Sequence, residues 1–237
     1  VWGGEVLRCE GVEFQRVAHL RTFALPGGDR AVRQPRRSAL GLLFEILGSG
    51  AAEIAAQWFS RRELDTLLSM LGRSVHAPRT SSMGRLFDAV AVLVGLPPVI
   101  SFEGQAAMAL EFAAGPDHVG AYPMPVSEAS PAVIDWEPLV RAVLADRRAG
   151  VPVQRISARF HQSLAEAGVA VAQQSGSSRV VLTGGCFQNA LLERLVRGRL
   201  SGAGFNVYTH SQVPPGHACP PLGQAYLAAV QPWGERE

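Results

Sequence analysis

"VVLTGGCFQN", residues 180–189, is an apolar, β-branched run that meets two glycines and then a stretch that reads as the start of a helix. A strand ending at Thr183 and turning through Gly184 and Gly185 into a helix gathers backbone N–H groups and a positive helix end at one point. Glycine leaves that point open, because a Cβ would block the approach of an anion. The same pair equally serves a tight turn with no ligand. Working outward, a strand over 179–183, a helix over 186–200, a strand over 205–209 and a helix over 220–230 alternate as β-α-β-α, so the end of the chain reads as an α/β unit. Within it, Asn189 either hydrogen-bonds a ribose or carbonyl or is an exposed helix residue. Cys186 is either a thiol activated by the helix start or a small buried apolar residue.

Upstream, "EVLRCE" and "EFQRVAHLRTFAL" read as two strands parted at Gly11 and closed by the turn signal "PGGD" at 26–29. From Pro35 to about Leu71 the period becomes helical, with Leu40, Leu43, Phe44 and Leu47 on one stripe, and several helices follow one another. Over 82–95, Met83, Leu86, Phe87, Val90, Leu93 and Val94 form an apolar stripe, which leaves Gly84, Arg85 and Asp88 together on the opposite face, either as a solvated ion pair or turned to a ligand. A further helix, "EGQAAMALEFAA", precedes a Pro-rich connection. This divides the chain into 1–115, a connection at 116–131, and 132–237. Beyond it, Asp135 is expected as the N-cap of one helix and Pro152 in the first turn of the next.

Composition narrows the class. The 237 residues are 47% hydrophobic, enough for a sizeable core. The formal charge is +2, and all 22 basic residues are arginines scattered along the chain, which argues against a nucleic-acid surface. Charged residues, glycine and proline interrupt the longest apolar stretches short of the roughly 18 residues of a membrane span, so no membrane is expected. Three cysteines in a chain of this length do not make a disulfide framework and fit a cytoplasmic protein. The six histidines lack metal-binding spacing, and only His217 and Cys219 in "GHAC" offer two soft ligands close together. The chain opens at Val1 within what reads as the interior of a strand-rich region, which suggests a longer parent.

Taken in order, "WGGE" (2–5), "HLRTFALPGGDRAVRQPRRSAL" (19–40), "TSSMGRLFDAVAVLVGL" (80–96), "SFEGQAAMALE" (101–111), "RFHQSLA" (159–165), "LTGGCFQNALLERL" (182–195) and "VPPGHACPPLGQA" (213–225) resemble the C-terminal part of the HypF carbamoyltransferases along nearly the whole chain. The resemblance implies an α/β, actin-like ATPase fold of the ribonuclease-H type, with two lobes and added helical segments, its N-terminal part lying outside this sequence. It implies a nucleotide, ATP or carbamoyl-adenylate, with Gly184 and Gly185 near its phosphates, Asn189 close by, and Gly84, Arg85 and Asp88 across the cleft. The implied activity is transfer of a carbamoyl group to the C-terminal cysteine of HypE during nickel-iron hydrogenase maturation, on the way to a cyanide ligand.

The sequence departs from that family at two places. A histidine-rich motif that precedes "WGGE" in the family falls outside these residues, so half of the divalent zinc or iron site is not in this chain. The family's "VPPNDGGIALGQ" appears as "VPPGHACPPLGQ", which puts His217 where an aspartate contributes to metal or nucleotide binding. His217 is therefore the catalytic and metal candidate, as a neutral imidazole ligand. Pro220 and Pro221 suit a first helical turn but remove two donors. The alternative is a noncatalytic module that docks HypE without turnover.

Overall fold

The computed structural model describes residues 1–115, 120–216 and 219–230. The expected strand pair is present as β1 (Glu5–Glu10) and β2 (Glu13–Leu20), antiparallel, with Cys9 opposite Phe14 and a register irregularity between Val6 and Leu7. Gly11, at φ 61°, permits the tight turn between them. The hairpin tip is exposed, and burial begins where Ala18 and Leu20 enter the core. There β5 (Ala132–Ile134) adds to β2 in parallel, pairing Ala18 with Ala132 and Leu20 with Ile134. Arg21 fixes the join by reaching Asp135 at 3.0 Å and Glu137 at 2.6 Å, and the buried indole of Trp136 donates to the Arg21 carbonyl.

Between these strands lies the helical run expected from residue 35 onward: α1 (Arg30–Arg33), α2 (Pro35–Leu47), α3 (Ala51–Ala55) and α4 (Arg61–Arg73). Pro35 opens α2, where its missing N–H costs nothing. Ser60 caps α4 by accepting the Glu63 N–H. A short pair, β3 (Phe23–Ala24) with β4 (Arg79–Thr80), runs beside α2. The approach is so close that a Cβ on Gly41 would fall 1.8 Å from the Ala24 carbonyl oxygen. Residues 35–55 are long and apolar enough to cross a membrane by composition, which the sequence reading did not find. Their apolar content instead packs internally, with Leu40, Leu42 and Leu43 wholly buried.

The central helix is α5 (Met83–Leu93), held between α2, α6 (Gln105–Ala113) and α7 (Glu137–Arg148). Ser82 caps it, and every residue from Arg85 to Leu93 is buried. The one-sided stripe expected from periodicity is thus corrected: neighbours cover the polar face as well as the apolar one. Phe87 meets Phe160 of α8 (Val153–Ser175) edge to face at 4.9 Å, and burial of such a ring stabilises by about 2–3 kcal/mol. The starts of α7 and α8 differ by one position from expectation. Asp135 precedes the capping residue Trp136 and accepts the Glu137 N–H, and Pro152 stands just before the first helical residue.

The terminal β-α-β-α alternation is present: β6 (Arg179–Val181), a 3-10 turn (Gly185–Gln188), α9 (Ala190–Gly202), β7 (Asn206–Tyr208) and α10 (Pro220–Val230). Strands β6 and β7 are parallel, and α9 packs on α8.

Candidate functional site around Gly184 and Gly185

Strand β6 ends two residues before Thr183, and the chain then turns at Gly184 with φ 99° and ψ 157°, a region only glycine enters freely. Both glycines are exposed, and a Cβ on either would meet nothing within 4 Å. Among the described residues, therefore, no side chain plugs the corner. The Gly184 N–H donates to the Pro215 carbonyl at 2.8 Å, which removes it from ligand duty and fastens the 213–216 loop beside the corner. The N–H groups of Gly185 and Cys186 have no partner among the described residues. Two adjacent free amides at an uncovered turn suit an anion.

The expectation for Asn189 was a ligand contact or an exposed helix position, and the structure gives it another task. It is 8% exposed and is the N-cap of α9, with Oδ1 accepting the Leu192 N–H at 2.8 Å. The helix thus begins at Ala190 and not at 186. Because Oδ1 is committed to an N–H, Nδ2 faces the buried His161 and donates to Nε2 at 3.0 Å. His161 must then carry its hydrogen on Nδ1, which donates to the Ser157 carbonyl at 2.8 Å. Burial pushes this imidazole down to about 4, in keeping with the neutral form. The motif "RFHQSLA" contained His161, but no metal-like spacing drew attention to it. Its sequence signal is a histidine within a long helical run, beside Phe160 and one turn before Leu164 and Ala165.

Gly84, Arg85 and Asp88 come to the back of the same corner. The turn 185–188 packs on α5, so Arg85 and Asp88 are buried there, which corrects their expected place on a free face. Gly84 remains half-buried at the first turn, with room beside it. Asp88 is 1% exposed. Its Oδ2 lies 2.9 Å from Arg85 Nη1, but the alignment makes no hydrogen bond, and both carboxylate oxygens lack a hydrogen-bond partner among the described residues. Burial pushes the Asp88 carboxyl up to about 7, against the pull of Arg85 and with a further push from Glu103.

Cys186 follows the apolar alternative. Burial pushes its thiol up to about 11, with Arg85 opposing and Asp88 adding, so the expectation of an activated nucleophile at a helix start does not hold. The α-helix starts four residues later and supplies no lowering at Cys186. On the outer side, His210 Nε2 lies 2.9 Å from Thr183 Oγ1, and the Cys219 sulfur lies 3.9 Å from His210 Nδ1. His217, the catalytic and metal candidate, lies outside the described residues. Among the described residues no group of three or more His, Cys, Asp or Glu is placed to hold a metal ion.

Comparison with known proteins agrees with this architecture. The family model described as "Carbamoyltransferase, Kae1-like Domain, second subdomain" matches residues 1–224. The chain is 35% identical over 248 residues to a carbamoyltransferase HypF of Synechocystis, covering 98% of this chain and 32% of that protein. It is 36% identical over 236 residues to the HypF of Rhodobacter capsulatus, covering 98% and 30%. A HypF homolog from Cupriavidus necator is 36% identical, with 98% and 61% covered. A crystal structure of full-length HypF in its phosphate- and nucleotide-bound form superposes with a TM-score of 0.90 at 38% identity, covering 96% of this chain and 30% of that one. The T. kodakarensis HypF structure gives 0.83 at 29% identity, with 96% and 31% covered. The chain spans about a third of the length of the first relatives it matches. The α/β, Kae1-like fold is thereby shown, and this chain belongs to the HypF carbamoyltransferase family, as the second subdomain of the Kae1-like domain.

Proposed function

We propose that the open corner at Gly184 and Gly185 holds the phosphate of ATP or of a carbamoyl-adenylate, and that the carbamoyl group passes from the adenylate to the C-terminal cysteine of HypE in nickel-iron hydrogenase maturation. The single observation that carries this reading is the pair of N–H groups, Gly185 and Cys186, that have no partner among the described residues, on a turn where an added Cβ would meet none of them within 4 Å. A relative crystallised in a phosphate- and nucleotide-bound form supports it.

In the proposed step the acceptor's thiolate attacks the carbonyl carbon, the bond from that carbon to the phosphate oxygen breaks, and AMP leaves with the electron pair. The chain's own contribution is to fix the leaving phosphate through main-chain donors and to hold the carbonyl carbon in line with the incoming sulfur. Among the described residues no three His, Cys, Asp or Glu side chains gather to hold a metal ion, and the candidate His217 lies outside them.

The test is calorimetric titration of the full-length protein with ATP and a non-hydrolysable carbamoyl-adenylate analogue. Binding that Gly185→Arg abolishes supports the reading. Absence of nucleotide affinity in the unaltered protein rejects it in favour of a docking module for HypE, the reading favoured by Pro220 and Pro221 at the start of α10, where two N–H donors are gone.

A further inference from the structure

We infer that the open cavity beneath the Gly27–Gly28 loop is a binding site for a small phosphate ester, distinct from the Gly184–Gly185 corner. The cavity measures about 850 Å³, within the range of small-molecule sites, and shares no lining residue with that corner. Its walls include Gly27, Gly28, Arg30, Arg37, Arg62 and Glu63.

The floor is a built guanidinium. Arg37 is 5% exposed, and a Cβ on Gly27 would lie 2.6 Å from its Nη1, so glycine at φ 86° is what lets the loop close over it. Of its five N–H hydrogens, Nε donates to Gln34 at 2.6 Å, Nη1 to the Pro26 carbonyl at 3.3 Å and Nη2 to Glu63 at 3.1 Å. Two hydrogens, one on each terminal nitrogen, remain without a partner among the described residues. A buried guanidinium with one hydrogen unspent on each terminal nitrogen can serve two oxygens of one oxyanion.

The charge balance points the same way. Glu63 Oε1 is shared by Arg36 at 3.2 Å and Arg37 at 3.1 Å, while Arg30 and Arg62 on the rim have no ion-pair partner among the described residues. Asp29, exposed on the rim, is the one other carboxylate of the lining. Burial pulls the Arg37 guanidinium below its ordinary value, Glu63 opposes this, and Arg36 and Arg30 add to the lowering. The lining's three guanidiniums and two carboxylates, one of which Arg36 also neutralises from outside the lining, leave net positive charge for a dianion, which a phosphate monoester supplies and a single carboxylate does not. The longest family-like motif in the chain, residues 19–40, builds this loop and floor, and the corner site uses none of it.

The experiment is arginine modification by phenylglyoxal in the full-length protein, with peptide mapping, in inorganic phosphate or in acetate at matched ionic strength. Saturable phosphate protection of Arg30 and Arg62 by fivefold or more, with exposed Arg148 unprotected, is the expected result. The Arg30→Gln/Arg62→Gln double variant, altered only at exposed positions, is expected to keep its unfolding midpoint and to bind phosphate at least tenfold more weakly. Equal protection of Arg148, no protection at all, acetate matching phosphate, or unchanged phosphate affinity in the double variant would each overturn the inference.

Discussion

Asn189 Nδ2 and His161 Nε2 face each other at 3.0 Å in the interior, and this one contact ties the start of α9 to the middle of α8 directly below the glycine corner. The contact needs a neutral imidazole, since Nε2 must accept. An ordinary histidine protonates near 6.5, whereas burial holds His161 near 4. Between those values the unfolded chain binds a proton that the folded chain refuses, so stability is present above about 6.5 and is lost as pH falls through the window. The loss amounts to something on the order of 3 kcal/mol. The difference in urea stability between wild type and His161→Gln, measured at pH 7 and at pH 4.5, should shift by most of that amount against wild type at the lower pH. A difference that does not shift would remove His161 from the account.

Asp88 has the opposite sign. Its folded value near 7 stands above the ordinary carboxyl value, so the folded state takes up a proton that the unfolded state has released, and stability declines as pH rises from about 4 to 7. The two slopes oppose each other in wild type, and only variants separate them. Asp88→Asn keeps the shape and cannot ionise, so its stability relative to wild type should improve by a few kcal/mol between pH 4 and pH 8. Chemical denaturation of the pair at both pH values measures this. A constant difference would mean that folding does not raise the Asp88 carboxyl.

How far the sequence discloses the site follows from what these residues do. The strand, glycine pair and alternating end of the chain were readable because each rests on local backbone preference: β-branched residues, then two positions without Cβ, then apolar residues at helical spacing. Asn189 directly before "ALL" also carried an N-cap signature, and that signal places the helix start at 190 better than the glycines do. Arg85 and Asp88 were not readable as buried, because their cover is the turn around Cys186, about a hundred residues away. Periodicity reports which face of a helix is apolar, and it carries no information about a distant segment that closes over the other face. His161 was hidden for the same reason, since its partner is known only once α8 and α9 are packed.

Two glycines give opposite expectations from the same substitution. At Gly41 an added methyl would collide with the Ala24 main chain, which cannot step aside without parting α2 from β3. Gly41→Ala should cost about 3 kcal/mol or more, or prevent folding. At Gly185 the same methyl meets open space, so Gly185→Ala should change the unfolding free energy by less than about 1 kcal/mol. If the corner holds a phosphate, that variant nevertheless weakens nucleotide binding. Thermal denaturation and calorimetry on both variants decide the matter: a destabilised Gly185→Ala would show that the corner is not open in solution.

The cysteines provide a test of the corner that needs no ligand. Cys9 is exposed on the hairpin, whereas Cys186 is a partly buried residue whose thiol burial pushes up to about 11. Alkylation proceeds through the thiolate, so at pH 8 Cys186 carries little of the reactive form and is also poorly accessible. Iodoacetamide labelling followed by peptide mass spectrometry should find Cys186 at least tenfold slower than Cys9. Urea below the unfolding transition should leave that ratio intact if the turn and α5 open only with the whole domain. Labelling of Cys186 at the Cys9 rate in native buffer would mean that the turn lifts off α5 readily, and the buried Arg85–Asp88 pair would then be solvent-accessible for much of the time.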